Sequence, residues 1–408
     1  MSTDQTTDVP PRLGLRRDGL DPAPEVTSVR EAHGTCPVTT LVGHTATLVA
    51  GYAEARTVHG DPAFGFDGLP LPPGGLDADE MARRRAGMLL ALDPPVHTRL
   101  RRMLTGRFTV RAMKALEPRV VAIVDDALEA MAAGGPPADL VADFALPVPS
   151  LVICELLGVP YEDRDGFQER AERTLRSDLS VEERTRLFAE SREYMASLVA
   201  RARRDPGEDL LGLLVREHGD RPAAEGGIDD DEMVGLANLL LVAGHETTSN
   251  VIALGTYELL RDPEQMAAMR AALDDDAATS RAVEEMLRHV TPVSAGFPRA
   301  ATQDVEVGPH VISAGTVVTA SLCAANRDPA LGEGLDHLDV RRDPLPHVAF
   351  GYGIHHCLGA PLARIELRIA FQAILRRFPG LALATDPDAV EFRHENLIHG
   401  VEALPVTW

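Results

Sequence analysis

The sequence is short of the residues that would make a secreted, membrane-spanning or nucleic-acid-binding protein. Four cysteines in 408 residues, Cys36, Cys154, Cys323 and Cys357, are too few and too scattered for a disulfide framework. Lysine occurs once, at Lys114, and the remaining basic residues are arginines. Together they fall well short of the acids, leaving a formal net charge of −22. Binding to a phosphate backbone needs the opposite balance, so nucleic acid is excluded as a partner. Long apolar runs are missing too. The longest clean ones, Leu239–Ala243 and Leu210–Val215, are far below the roughly 18–20 residues of a membrane span. The opening MSTDQTTDVPPRLGLRRDG has no apolar core of a secretory signal. Residues 1–25 read as a disordered polar tail, and the expected location is the cytoplasm.

What the sequence does have is an ordinary globular composition, 45% hydrophobic and 25% charged. No linker, low-complexity block or repeat divides it, so residues 26–408 are expected as one domain. The apolar periodicity is mostly helical. Val120, Ile123, Val124, Ala127, Leu128 and Met131 recur at helical spacing before Gly134-Gly135-Pro136-Pro137 ends the segment. Further helices are expected near 149–157, 162–175, 183–204, 208–217, 264–273 and 279–290. Strand patterns are confined to 38–50, with a turn at Gly43, to 303–320, and to Val401–Thr407. The fold class is therefore mainly α, a large helical body with a smaller β-rich side.

Two segments carry chemistry. The first is a helix from about Asp229 to Leu260, opened by Asp229, Asp230, Asp231 and Glu232 where the helix dipole favours negative charge. Its middle reads Ala243-Gly244-His245-Glu246-Thr247-Thr248, and a glycine and back-bonding threonines there predict a tolerated kink. The second is Phe350-Gly351-Tyr352-Gly353-Ile354-His355-His356-Cys357-Leu358-Gly359, leading into a helix with Pro361 in its first turn. A lone cysteine is most often a small buried hydrophobe. Cys357 differs because free N–H groups and the positive end of a helix dipole stabilise a thiolate where a helix begins.

These residues resemble the cytochrome P450 family, haem-thiolate monooxygenases of the soluble bacterial kind. The pattern Phe-Gly-x-Gly-x-His-x-Cys-x-Gly is met at every fixed position, with the acid–threonine pair Glu246-Thr247 and a Glu-x-x-Arg at Glu285 and Arg288 in the family's order. Alone, the last of these is an everyday helix-surface pair worth a few tenths of a kcal/mol. The resemblance runs from about residue 25 to Trp408. It implies haem b, with Cys357 as the iron ligand, Gly359 in the turn whose N–H groups tune the sulfur, and Phe350 shielding that side of the ring. It also implies propionate contacts from His97, Arg101, Arg299 and His355, and proton delivery by Glu246 and Thr247. Glu285 and Arg288 would form a buried structural ion pair. The family's usual third partner, an arginine after Pro-x, is replaced by Leu335-Asp336-His337-Leu338, so His337 is a substitute donor or the network is only a pair.

The implied reaction takes dioxygen and two electrons from a ferredoxin and its ferredoxin reductase, and hydroxylates or epoxidises a hydrophobic small molecule, a macrolide, polyene, steroid or other secondary metabolite. Leu239, Val242, Ala243, Val293 and Ser294 would line the pocket. Residues 62–90 and about 160–200 would form lids, with Phe64, Phe66, Leu69, Leu71, Met81 and Met88 as their apolar content. The acid-free run from His97 to Leu116, with Arg99, Arg102, Arg107, Arg111 and Lys114, is a docking surface for an acidic ferredoxin or simply a solvated basic face. A monomer is the family's habit. The competing readings are a peroxide-driven enzyme, a non-catalytic haem protein such as a gas sensor or carrier, and a zinc site built from His347, His355, His356 and Cys357. The spacing suits zinc poorly, and the intact Glu246-Thr247 pair counts against peroxide use.

Overall fold

The structure is a computed structural model describing residues 10–40, 43–70, 78–160, 163, 166, 179–393 and 396–408. Its helices are α1 (Pro24–Glu31), α2 (Tyr52–Gly60), α3 (Ala78–Arg85), α4 (Val96–Thr105), α5 (Val110–Lys114), α6 (Glu117–Gly134) and α7 (Pro147–Leu157). They continue with α8 (Val181–Arg204), α9 (Leu210–His218), α10 (Asp230–Arg261), α11 (Pro263–Ala272), α12 (Asp276–Val290), α13 (Leu322–Ala325) and α14 (Ala360–Arg377). The helix expected over 162–175 lies outside the described residues except at positions 163 and 166, as does Leu71.

The body is built around α10, 32 residues and about 48 Å long. Its start is fixed by a capping box. The Asp229 carboxylate accepts from the Glu232 N–H at 2.8 Å, and Glu232 reaches back to the Asp229 N–H at 3.4 Å. Glu232 also takes a hydrogen bond from Arg99 on α4 at 3.1 Å. The helix continues unbroken through Gly244, the position of the expected kink. The glycine there serves close packing, since a Cβ would stand 2.8 Å from Ile153 of α7. Gly255 does the same against Phe371 of α14, also at 2.8 Å. Thr247 still bonds back, its hydroxyl donating to the Ala243 carbonyl at 3.0 Å.

The β side holds a five-stranded sheet of order β1 (Cys36–Thr39), β2 (Thr45–Val49), β5 (Val317–Ala320), β4 (Arg299–Ala301), β3 (Phe64–Gly65). The expected hairpin is β1–β2, and β5 runs parallel to β2 with Thr319 opposite Leu48. The stretch 303–320 first makes a separate hairpin, Val305–Val307 with His310–Ile312. Phe64 belongs to the buried core of this side, so it is packing rather than lid.

The amino-terminal reading needs correction. Residues 10–25 contain a turn of helix at Leu13–Leu15 and a two-stranded ribbon, Arg17–Asp18 with Asp21–Pro22, and Leu15 and Leu20 are buried. The Arg17 guanidinium donates to the carbonyls of Val290 and Thr291, 2.8 Å each, where α12 ends and its carbonyls have no helical partners.

The Glu285–Arg288 pair is buried and two-pronged, at 2.7 and 2.8 Å. Arg288 also donates to the carbonyls of Asn326 and Leu335, at 2.9 and 2.8 Å. The third member is neither absent nor the His337 ring. It is Arg342, whose Nε donates to Glu285 at 3.1 Å, while His337 contributes only its carbonyl to Arg288. A guanidinium suits that position because its fan of donors also takes the Glu333 and Gly334 carbonyls, 3.0 Å each.

Candidate active site

The cysteine loop is a tight structure hung between α2 and α14. The Cys357 N–H donates to the Phe350 carbonyl at 2.9 Å, and the Gly351 N–H to the Val348 carbonyl at 2.8 Å. Gly353 needs to be glycine twice over. Its φ is +73°, and a Cβ would lie 2.6 Å from the His59 carbonyl oxygen of α2. Burial pushes the Cys357 thiol up from its ordinary value. The Gly359 and Ala360 N–H groups at the start of α14, and the charges of Arg101 and Arg364, oppose that rise. The Gly359 and Ala360 N–H groups are thus both aimed at the sulfur.

Beside the loop is a buried cluster of cationic and imidazole groups, with the Asp93 carboxylate at its margin. His97, Arg299 and His355 are 2%, 4% and 8% exposed, and the two imidazole rings are 4.3 Å apart. Arg299 stands over the Phe66 ring at 5.1 Å, and Phe66 meets His355 edge-on at 5.2 Å. Both ring nitrogens of His97 and the Nε of Arg299 lack hydrogen-bond partners, and the His355 ring only grazes the Leu89 backbone. Burial, then the neighbouring positive charges, lower His97 to about 4 and His355 to about 3. Burial lowers Arg299 to about 10, with Asp93 opposing. Buried polar groups are normally satisfied, so this cluster is built for an absent anionic group.

On α10, Leu239, Ala243 and Thr247 follow at four-residue steps along one face. Ala243 is exposed and Val242, Gly244 and Thr247 are half-buried, while Leu241, His245 and Glu246 are buried, so this stretch faces an opening. Glu246 turns from that face and is 2% exposed. Its Oε1 lies 3.4 Å from His245 Nε2, and its Oε2 lies 3.6 Å from Arg393 Nη1. Val293 is half-buried and pairs with Ile398. Ser294 is fully buried, its carbonyl accepting from the Leu322 N–H, so it does not face an opening.

A sequence model described as cytochrome P450 matches residues 179–391. The protein is 43% identical to cytochrome P450 FAS1 of Rhodococcoides fascians over 408 residues, 99% of each chain. The chain belongs to the cytochrome P450 family. Pentalenic acid synthase of Streptomyces avermitilis is 42% identical over 389 residues, 95% of this chain and 94% of that one. The crystal structure of CYP105P1 in complex with filipin I matches with a TM-score of 0.87 and 38% identity, covering 98% of this chain and 99% of that one. The protein is therefore a cytochrome P450 monooxygenase with the P450 fold, and the family's cofactor is a haem iron. The free ring nitrogens of His97 and His355 and the Nε of Arg299 fit such a group, whose two carboxylates would accept their hydrogen bonds.

In this P450 the basic run is partly committed elsewhere. Arg99 pairs with Glu232 and Arg107 with Glu217, whereas Arg102, Arg111 and Lys114 are exposed and carry no ion pair among the described residues. Arg101 is half-buried, with Nη2 donating to the His356 carbonyl at 2.6 Å. It braces the cysteine loop as well as facing the cluster.

Sequence reasoning missed a second ion-pair group. Arg364 grips Glu284 at 2.5 and 2.9 Å, His347 reaches the same carboxylate at 3.2 Å, and Arg364 stands 4.6 Å over the Phe350 ring. The only local signal was Glu284 beside Glu285. Burial works to raise Glu284, but His347 and Arg364 outweigh it and hold the carboxyl at about 2. A depressed carboxylate stabilises the fold above its unfolded pKa, and that contribution disappears as pH falls from about 4.5 to about 2. Glu284→Gln should therefore lose about 2 kcal/mol of unfolding free energy at neutral pH, allowing for solvent around Arg364. Denaturant titrations across that window should show the two proteins converging at its acid end.

Proposed function

We propose that the chain is a haem-thiolate monooxygenase that hydroxylates or epoxidises a hydrophobic secondary metabolite, of macrolide, polyene, steroid or terpenoid type, with electrons from a ferredoxin. The observation that carries this is the buried set of His97, Arg299 and His355 beside the Cys357 loop, in which both ring nitrogens of each histidine and the Arg299 Nε have no hydrogen-bond partner among the described residues. Those three groups and Arg101 would hold the propionates of haem b, and the Cys357 sulfur, steadied by the Gly359 and Ala360 N–H groups, would hold its iron. When bound, thiolate-ligated haem supplies the reductive activation of dioxygen. The relatives named for pentalenic acid and filipin I support the substrate class.

The residues of the chain divide the remaining work. Leu239, Val242, Ala243 and Val293 would receive the substrate's apolar body and exclude bulk water. The Thr247 hydroxyl, parked on the Ala243 carbonyl, would turn outward to hold a water at the reacting face. Glu246, next in the chain but on another face, would restock that water with protons. Arg102, Arg111 and Lys114 would receive an acidic ferredoxin. No helix among the described residues is long and apolar enough to cross a membrane.

Three measurements test this. Reduced protein under carbon monoxide should show thiolate-ligated haem absorbance, and the spectrum of an imidazole-ligated pigment would end the proposal. Thr247→Ala should keep haem and substrate binding but divert reductant into peroxide, read as the ratio of product to reductant consumed. Arg102→Glu should slow reduction by ferredoxin about tenfold at low salt, the difference shrinking as salt screens the surface.

A further inference from the structure

Behind α10 lies a cleft of about 1560 Å³, with Glu246 in its wall; neither Ala243 nor Thr247 lines it. Its other walls include Arg17, Glu258, His289, Arg393 and Glu402, and carboxylates outnumber arginines along it. A hairpin from the C-terminal segment forms one side. Phe392 pairs with Val401, the Arg393 N–H donates to the Gly400 carbonyl at 2.8 Å, and the Glu402 N–H to the Glu391 carbonyl at 2.9 Å. This hairpin is seated on α10 one turn after Glu246. A Cβ on Gly400 would fall 1.7 Å from the Asn250 side chain, which itself donates to the Glu246 carbonyl at 2.7 Å.

The seating places Arg393 between two carboxylates. Its Nη1 is 3.6 Å from the buried Glu246 and its Nε is 3.7 Å from Glu402, which is 61% exposed. Both gaps exceed a hydrogen bond, so the guanidinium is gripped by neither carboxylate and is shared between them.

We propose that this rear cleft is the route by which protons reach the active site, and that Arg393, shared between Glu246 and Glu402, is the positioning residue that keeps Glu246 turned toward it. The inference rests on the roles given above to Glu246 and Thr247. Each turnover combines dioxygen, two electrons from the ferredoxin, two protons and a C–H bond into a C–OH bond and water. The protons must come from bulk solvent, and a pocket filled with apolar substrate does not conduct them. Glu246 and Thr247 are consecutive and so about 100° apart around the helix, which lets one face the cleft and the other the pocket.

The charges facing Glu246 are His245 on its own helix and Arg393 across the cleft. Glu402 lies beyond Arg393, and the pair Glu258–His289, 3.2 Å apart, stands further along the wall. Burial works to raise Glu246, but His245 and Arg393 outweigh it and leave the carboxyl below the usual carboxylate range. Glu246 is thus a carboxylate while Arg393 is near, and it takes a proton from cleft water more readily when Arg393 closes on Glu402.

Infrared titration of the resting protein, with Glu246→Gln to assign the carboxyl band, needs no turnover and no substrate. Arg393→Gln should move the protonation midpoint of Glu246 upward, and Glu402→Gln should move it downward by freeing Arg393 for Glu246. In turnover, Arg393→Gln should lower product formation about tenfold to a hundredfold. Its solvent deuterium isotope effect should exceed that of the native protein, and Arg393→Lys should restore most of both. An unmoved midpoint, or a slower rate with an unchanged isotope effect, overturns the assignment. The carbon monoxide spectrum of the same preparations separates that failure from a failure of the haem-thiolate reading.

Discussion

A thiol drawn largely out of water resists giving up its proton, and much of this structure answers that resistance at Cys357. Burial raises the sulfur's pKa, while two N–H groups at the head of α14 and two guanidiniums work against it. Each of these needs its own support. The loop can present the sulfur only because Gly353 fits against α2, where no side chain would. Arg364 is fixed by Glu284, and Arg101 by a carbonyl of the loop itself. The helix α12 supplies Glu284 to this apparatus and, one residue later, Glu285 to the buried Arg288–Arg342 network. Adjacent residues of one helix thus serve the cysteine loop and the core that carries it.

The same division of labour by helix face runs through α10. Glycines at 244 and 255 let it press closely against α7 and α14. Around the first of these contacts one face is open at Ala243 and Thr247, and Glu246 looks the other way, into a polar cleft. An unbroken helix therefore parts that open face from the cleft. The acid–threonine pair is the place where the two come within one residue of each other.

Much of this was legible in the chain. The cysteine loop, the Glu246-Thr247 step and the long helix with its acidic start are short-range patterns, set by local backbone geometry and capping chemistry, and they survive in any context. His97, Arg299 and His355 could be named only through family resemblance, because what makes them a site is convergence from distant segments. Ion pairs of the same long-range kind escaped. Arg342 sits in an irregular loop that no periodicity describes, and Glu284 with Arg364, or Glu246 with Arg393, join elements far apart in sequence. The polar segment before residue 26 looked unstructured because its composition hides one decisive contact, the capping of α12 by Arg17.

That contact reaches further than its position suggests. Thr291 occupies a left-handed backbone conformation, φ 37°, uncommon for a β-branched residue. Its hydroxyl bonds to the carbonyls of Leu287 and Arg288 and receives the Asn326 amide, while Arg17 takes its carbonyl. Two residues on comes Val293, bridged to Ile398 of the C-terminal segment. Trimming the amino terminus past Arg17 would strand two carbonyls and loosen this strained corner, so a segment remote in sequence holds α12 and the C-terminal segment in register.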